Sequence, residues 1–525
     1  MDELSESASL LEEYFHLTQK YKKECGERTI VLLTCGIFYE MWGYLDFDGS
    51  IVGSDIKEVS RLCNLACVEK SKLTYNTRPV YQAGLTQTII DKYLQMIVQE
   101  NGYTAVLYCQ TDEINIKTKK RVRKLEAIHS PGTYISMEPN MDRKLNNHLM
   151  VLWIERGKFH KTTGIVYGMS VLNVFNGKVT IYEQIVPGTK ILSTTFDTLE
   201  KNISIFCPSE IILVTNLSSA EIHKVQQYSG MTQGNPRIEI LDFSYQAIIN
   251  CGKQTYINHA ITQQYGDNAW ESCEEFQRYP FAAQSLCYLL HFVQCRNQNL
   301  IKHIEFPVFQ NQSNFMILAN HTLRQLNILL DHQESQEYGT LSSVGSFLNK
   351  CNTAMGKRQF QYKLTHPTFD TQWLENEYQT IDRLLDPEVR PMIEPLRIQL
   401  KEICDLEKTA KHLSDRKLTP MHMSQLDDSI QRIQQMHVCL EEMPWFLSYL
   451  GTTQSTTPAT TSISTSTSTP TPTTLGNLAT TLTTYLNEKL DMVACRSSGQ
   501  KTSMDENIIK PGVSPFLDDT LQKLT

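Results

Sequence analysis

The residues best suited to chemistry lie in the run Thr34-Cys35-Gly36-Ile37-Phe38-Tyr39-Glu40-Met41-Trp42, where a hydrophobic stretch ends in an aromatic pair and a carboxylate. A phenylalanine pushed beside a base step unstacks it and kinks a duplex, at least cost where pairing is already defective. A carboxylate two residues on is repelled by phosphates and is tolerated only where it accepts a hydrogen bond from a base edge. Phe38 is thus a candidate wedge and Glu40 a candidate base-edge acceptor. Gly36 is a turn that would let the backbone near a minor groove, and Tyr39 is expected to face the core. The alternative reading of the same residues is one buried strand from Val31 to Met41, with Phe38 in the core and Glu40 at its solvated end.

Residues downstream of this run extend the pattern. The segment resembles the N-terminal domain of the MutS family of DNA mismatch-recognition proteins, whose signature is Gly-x-Phe-Tyr-Glu. The resemblance continues through Ala83-Gly84-Leu85, through Tyr93-Leu94 and Ile97-Val98 on a helix, and through Val106-Leu107-Tyr108-Cys109-Gln110 to Ser130-Pro131-Gly132-Thr133. In order and spacing these are similar to the family's Ala-Gly-Ile-Pro turn, its following helix, its Val-x-x-x-x-Gln strand and its Thr-Pro-Gly-Thr closure. Thr86-Gln87-Thr88 departs from the family's Pro-Tyr or Pro-x-His, which puts local DNA-backbone contacts there in question. The resemblance implies mismatched double-stranded DNA as partner, bent around Phe38.

At 525 residues the chain exceeds one hydrophobic core, and three or four domains are expected from an apolar fraction of 41%. A net charge of −8 argues against a nonspecific DNA-coating protein but not against a site-specific reader with its basic residues on one face. The dense basic run, Lys117, Lys119, Lys120, Arg121, Arg123 and Lys124, is either a solvated hairpin or a set of phosphate contacts. The 14 cysteines form no Cys-x-x-Cys pair and read as reduced core residues. Cys287, His291 and Cys295 share one helix face, but their apolar neighbours favour a buried helix over a metal site. An acidic N-terminus and the lack of any apolar run near ~18 residues lead us to expect a soluble, intracellular protein with no membrane partner.

Residues 8 to 24 read as an amphipathic helix, followed by mixed strand and helix patterns. The expected organisation is a mismatch-recognition α/β domain over residues 1–137, a polar hinge, and a second α/β domain over 145–255. An all-α core and lever domain is expected over 265–450. The second α/β pattern resembles the MutS connector, which implies a ribonuclease-H-like fold. Such a fold raises the question of a magnesium nuclease, which needs carboxylates on its central strand; Gly164 to Val174, taken as that strand, carries none. In the helical part, Phe315 to Ile328, Gly339-Thr340-Leu341, Leu348 to Arg358 and Asp405-Leu406-Glu407-Lys408 with Arg416 and Pro420 resemble family motifs. Their expected roles are packing and capping, with Gly356 allowing close backbone approach. Residues 451–474, nearly pure Thr and Ser with prolines, are expected to be a disordered insertion. Residues 475–525 should continue the lever, and Ile508 to Gly512 and Phe516 to Leu521 resemble the start of the family's clamp.

The family couples mismatch binding to an ABC-type ATPase whose phosphate loop reads Gly-x-x-x-x-Gly-Lys-Ser/Thr. The Gly-Lys pairs at 157, 177, 252 and 356 are followed by Phe159, Val179, Gln254 and Arg358, so none fits. The resemblance is therefore to the N-terminal half of a MutS protein, with no cofactor expected here. ATP and magnesium are implied only for the family's C-terminal half, and a dimer partner or an ATPase half in trans is a further expected partner. The inserted segments resemble the large homologues of giant viruses and octocoral mitochondria. Two readings compete with mismatch recognition: a helical interaction scaffold that reads no DNA, and a decayed remnant.

Overall fold

Leu11, Tyr14, Phe15, Leu17, Thr18 and Tyr21 recur at helical spacing, and helix Leu10–Cys25 buries them against a seven-stranded sheet. This is a computed structural model; it describes residues 10–114, 121–136, 145–159, 162–188, 190–312, 315–316, 320–328, 342–452, 472–498 and 507–524. These fall into two units, residues 1–308 and 309–525. The strands of the first sheet are β1 (Thr29–Cys35), β2 (Phe38–Leu45), β3 (Ile51–Val52), β4 (Val68–Tyr75), β5 (Arg78–Thr86), β6 (Thr104–Ile114) and β7 (Arg121–His129). Their order is β4-β5-β2-β1-β6-β7, with β3 paired to β2; β1 and β6 run parallel and the other pairs antiparallel. Tyr14 meets Trp42 edge-on at 4.9 Å and Phe15 meets Tyr44 at 5.1 Å, which fixes the helix over the far end of β2. The stretch from Val31 to Met41 is not one strand, because the chain reverses at Gly36 and Ile37 and sets Cys35 opposite Phe38.

A second sheet is built from β8 (His148–Phe159), β9 (Thr162–Asn173), β10 (Val179–Pro187), β11 (Glu210–Thr215) and β12 (Arg237–Leu241). Its order is β12-β11-β8-β9-β10 followed by a sixth, two-residue edge strand, Val308–Phe309, with β8, β9 and β10 antiparallel and β8, β11 and β12 parallel. Gly164 to Val174, read as the central strand, lies largely within β9, which shares the middle of this sheet with β8. Leu149 to Ile154 are wholly buried, as expected for a strand covered on both faces.

Helix Pro280–Arg296, expected in the all-α domain, packs instead on β8 and β9 within the first unit. A Cβ at Gly168 would stand 2.1 Å from the Phe281 carbonyl carbon, so only glycine admits the helix here. Glu183 of β10 accepts hydrogen bonds from Phe281 N at 2.8 Å and Ala282 N at 3.0 Å, capping the first turn.

The two sheets of this unit meet through buried polar groups. Glu210 Oε2 accepts from Ser130 Oγ at 2.5 Å and from Gly132 N at 2.9 Å, and a Cβ at Gly132 would lie 2.8 Å from the Glu210 side chain. Arg237, at the start of β12, donates to Thr104 Oγ1 at 2.6 Å, to Arg28 O at 3.1 Å and to Cys25 O, and faces Glu210 at 3.7 Å. The polar hinge expected over Glu138 to Asn147, of which residues 138–144 lie outside the described residues, ends in a buried Asn147, which donates to Pro131 O and Tyr134 O at 2.9 Å each.

The second unit is helical among its described residues. Thr353, Asp370, Asp405 and Thr419 accept from the first-turn amides of the helices they precede. Gly356 sits in close approach to its own cap, since a Cβ there would meet Thr353 Oγ1 at 2.9 Å. Arg358 is buried and forks onto Asp405 at 2.7 and 2.6 Å and onto Glu407 at 2.9 and 2.6 Å, so two separated motifs meet in one ion cluster. Helix Pro472–Lys489 begins within the stretch read as disordered, while residues 453–471 and 339–341 lie outside the described residues.

Two outcomes are expected. Arg358→Met leaves Asp405 buried without its counter-ion and should cost about 3–5 kcal/mol, read as a lower urea midpoint for residues 309–525; an unchanged midpoint would contradict the cluster's role. Burial pushes the Glu183 carboxyl from its ordinary 4.5 up to about 7, against the two backbone donors that favour its charged form. The folded chain holds this proton more tightly than the unfolded chain, so the contribution is fully present below pH 4.5 and is lost as pH rises through about 7. In urea melts across that window the stability of wild type relative to Glu183→Gln should fall with pH, and a flat difference would rule the effect out.

Candidate nucleic-acid interface

Period-two alternation on β2 divides the signature residues between two faces. Tyr39 and Met41 are buried, and Tyr39 donates its hydroxyl to Glu126 Oε2 at 2.6 Å. Phe38 and Glu40 lie on the other face, where Phe38 is 41% exposed and Glu40 half-buried. Helix Leu10–Cys25 covers Trp42 and Tyr44 on that face and leaves the Phe38 end open. The expectation that Tyr39 faces the core matches this arrangement, and Phe38 in the core does not.

Gly36 and Ile37 form a two-residue hairpin loop between Cys35 and Phe38. Gly36 has φ +63°, while Ile37 keeps a negative φ, the pattern of a type II′ turn with glycine at its first central position. No atom lies within 4 Å of a Cβ built on Gly36, so its requirement is torsional. Ile37 is 67% exposed at the apex.

Three further residues shape the face. Cys35, directly opposite Phe38, lies 4.0 Å from Arg123 Nη2. Burial pushes the Cys35 thiol up to about 11, helped by the charge of Glu40 and a hydrogen bond to it and opposed by Arg123. Gly84 is the register partner of Glu40, and a Cβ there would touch the Phe38 side chain at 3.8 Å, so the glycine keeps space beside the ring. Gln87 donates from its backbone N to Ile37 O at 3.1 Å and from Nε2 to Gly36 O at 3.4 Å, which ties down the apex. Gln87 belongs to the tripeptide that departs from the family pattern, and that departure was the one signal of a local role.

The basic run divides. Lys117, Lys119 and Lys120 lie outside the described residues. Arg121 is exposed at the start of β7. The Arg123 side chain is only 12% exposed and turns inward to Glu13 at 3.3 Å, a partner 110 positions away, which removes it from the outward-facing cations. Lys124 pairs with Glu113 at 2.7 Å on the surface, a contact weak enough to yield to a phosphate.

No group of three metal-ligating side chains is assembled among the described residues. Cys287 is buried, and His291 and Cys295 stand 3.7 Å apart on the same helix. On β8, the other middle strand of the second sheet, the carboxylate is Glu155, which accepts from Trp153 Nε1 at 2.5 Å. No described helix is long and apolar enough to cross a membrane.

Residues 9–138 match MutS domain I and residues 321–502 match MutS domain III. A putative DNA mismatch repair protein, a mutS homolog of Acanthamoeba polyphaga mimivirus, is 24% identical over 456 residues, covering 79% of this chain and 38% of that protein. The DNA mismatch repair protein MutS of Caldanaerobacter subterraneus subsp. tengcongensis is 25% identical over 435 residues, covering 81% of this chain and 43% of that protein. That of Thermotoga neapolitana is 23% identical over 438 residues, covering 83% and 46%. The chain belongs to the MutS family and corresponds to its N-terminal portion. It spans less than half the length of these relatives.

Gly36→Ala forces a side chain into the left-handed region and should cost about 1–2 kcal/mol. Hydrogen exchange should show faster opening of the Cys35 and Phe38 amides than of the β1–β6 ladder, and uniform protection would contradict the torsional argument.

Proposed function

We propose that this chain acts in DNA mismatch repair by recognising mismatched double-stranded DNA. Phe38 wedges into a mispaired or unpaired step, the duplex bends there, and Glu40 accepts a hydrogen bond from the displaced base edge. The observation that carries this reading is that Phe38 and Glu40 share the one open end of a buried strand, in a domain of the mismatch-reading family. A ring left 41% exposed beside a half-buried carboxylate has surface to cover, which a stacked base would do.

The second α/β domain reads as the family's connector with a ribonuclease-H-like fold, supported by its strand order of antiparallel β8-β9-β10 followed by parallel β11 and β12. Its place is that of a spacer between reader and lever. The four Gly-Lys pairs do not have the setting of a phosphate loop for ATP and magnesium. Gly157-Lys158 lies inside β8, Gly177-Lys178 between two strands, Gly252-Lys253 between two helices and Gly356-Lys357 inside a helix, whereas a phosphate loop joins a strand to a helix. Nucleotide chemistry belongs to the remaining length of the family, supplied with this portion or by a partner subunit.

Removing the ring should forfeit stacking of about 1–3 kcal/mol, so Phe38→Ala should erase a mismatch preference of about tenfold. Fluorescence anisotropy of a duplex with one G·T mismatch against its matched twin, at low salt, reads this directly. Equal loss on both duplexes would sink the wedge assignment, and wild-type binding without salt dependence would favour the scaffold.

A further inference from the structure

Arg123 of β7 reaches back across the first sheet toward the hairpin that carries Phe38. Its register partner is Gln110 of β6, its Nη2 stands 4.0 Å from Cys35 Sγ, and Cys35 is the register partner of Phe38. A guanidinium therefore lies one strand away from the wedge. Burial raises the Cys35 thiol most, Glu40 adds to the rise and Arg123 opposes it, so both charges act at this one spot. A minor groove is about 6 Å wide and neighbouring strands are about 4.8 Å apart, so a ring seated in the groove sets the next strand under the phosphate rim.

That cation is turned inward. Arg123 Nη1 donates to Glu13 Oε2 at 3.3 Å, from the first turn of helix Leu10–Cys25, and the two side chains are 12% and 29% exposed. The hold is a single long arm. Arg123 Nε is buried and makes no hydrogen bond, whereas Arg358 in the helical unit forks onto two carboxylates at 2.6 to 2.9 Å. A one-armed pair lacks the fork that makes arginine–carboxylate pairs strong, and it releases its cation more readily. The arrangement places a carboxylate in competition with DNA phosphate for the same guanidinium.

We propose that Glu13 attenuates the DNA affinity of this chain: it neutralises Arg123 beside the reading hairpin and so withholds a phosphate contact that matched and mismatched duplexes would use alike. The proposal rests on the reading of Phe38 as the wedge. A phosphate contact adds to every complex without separating them. Withholding it shortens the stay on matched DNA and leaves discrimination to Phe38 and Glu40.

The test measures anisotropy titrations of the full chain on a matched duplex and its G·T twin, from about 50 mM to about 200 mM salt. Glu13→Gln keeps the size of the side chain and leaves Arg123 without its counter-charge. This variant should bind both duplexes about fivefold tighter at the lower salt, with log K falling more steeply by about 0.9 per log unit of salt, and with the ratio between the duplexes unchanged. Glu13→Asp keeps the charge and should bind as wild type does. Adding Arg123→Gln to Glu13→Gln should remove both the gain and the extra slope. An unchanged slope in Glu13→Gln, an equal gain in Glu13→Asp, or a gain that survives the loss of Arg123 overturns the proposal. If Phe38→Ala erases the mismatch preference while Glu13→Gln leaves the slope unchanged, the role of Glu13 alone is excluded. If Phe38→Ala leaves that preference intact, the wedge reading falls and takes this proposal with it.

Discussion

The reading face depends on one constraint: a strand that reverses after a two-residue loop must show alternate side chains to opposite sides. Tyr39 and Met41 take the buried side and anchor β2, with the Tyr39 hydroxyl held by Glu126. Phe38 and Glu40 are thereby committed to the other side, whatever their own preferences. Shifting the register by one residue would exchange the pairs and bury the ring. The apolar burial of β1, β2 and their covering helix thus serves to keep two side chains out of the core.

A second level of organisation comes from buried polar groups rather than apolar contact. Glu210, Arg237, Ser130 and Gly132 join the first sheet to the second within the first unit, and each bond is made to a partner far away in sequence. Such groups cost desolvation and are tolerated only in one relative arrangement of the two sheets. In the second unit Arg358, Asp405 and Glu407 follow the same logic among helices. At these two clusters buried charge marks places where separate pieces of sequence must find a single register.

Legibility in the sequence tracks how local each signal is. The cores of β8 and β11 were legible because strands covered on both faces are continuous apolar runs. Phe38 and Glu40 were legible through their two-residue spacing beside a glycine. The hairpin was hidden, because Ile37 puts an apolar residue where a turn normally shows a polar one, and Val31 to Met41 reads as unbroken. Helix Pro280–Arg296 is apolar on nearly all sides, which reveals that it is buried but not what buries it. The inward turn of Arg123 could not be seen, since Glu13 is brought to it only by the fold.

The contact between Gly168 and Phe281 also sets a timetable for synthesis. The face of β8 and β9 that helix Pro280–Arg296 covers is complete as soon as β9 has emerged, yet its cover lies more than a hundred residues downstream. At roughly 5–20 residues per second, that face waits on the order of ten seconds without its partner. During that interval a nascent chain carries an open apolar sheet, so the demand on chaperones is concentrated at one stage of translation, before residue 296 leaves the ribosome.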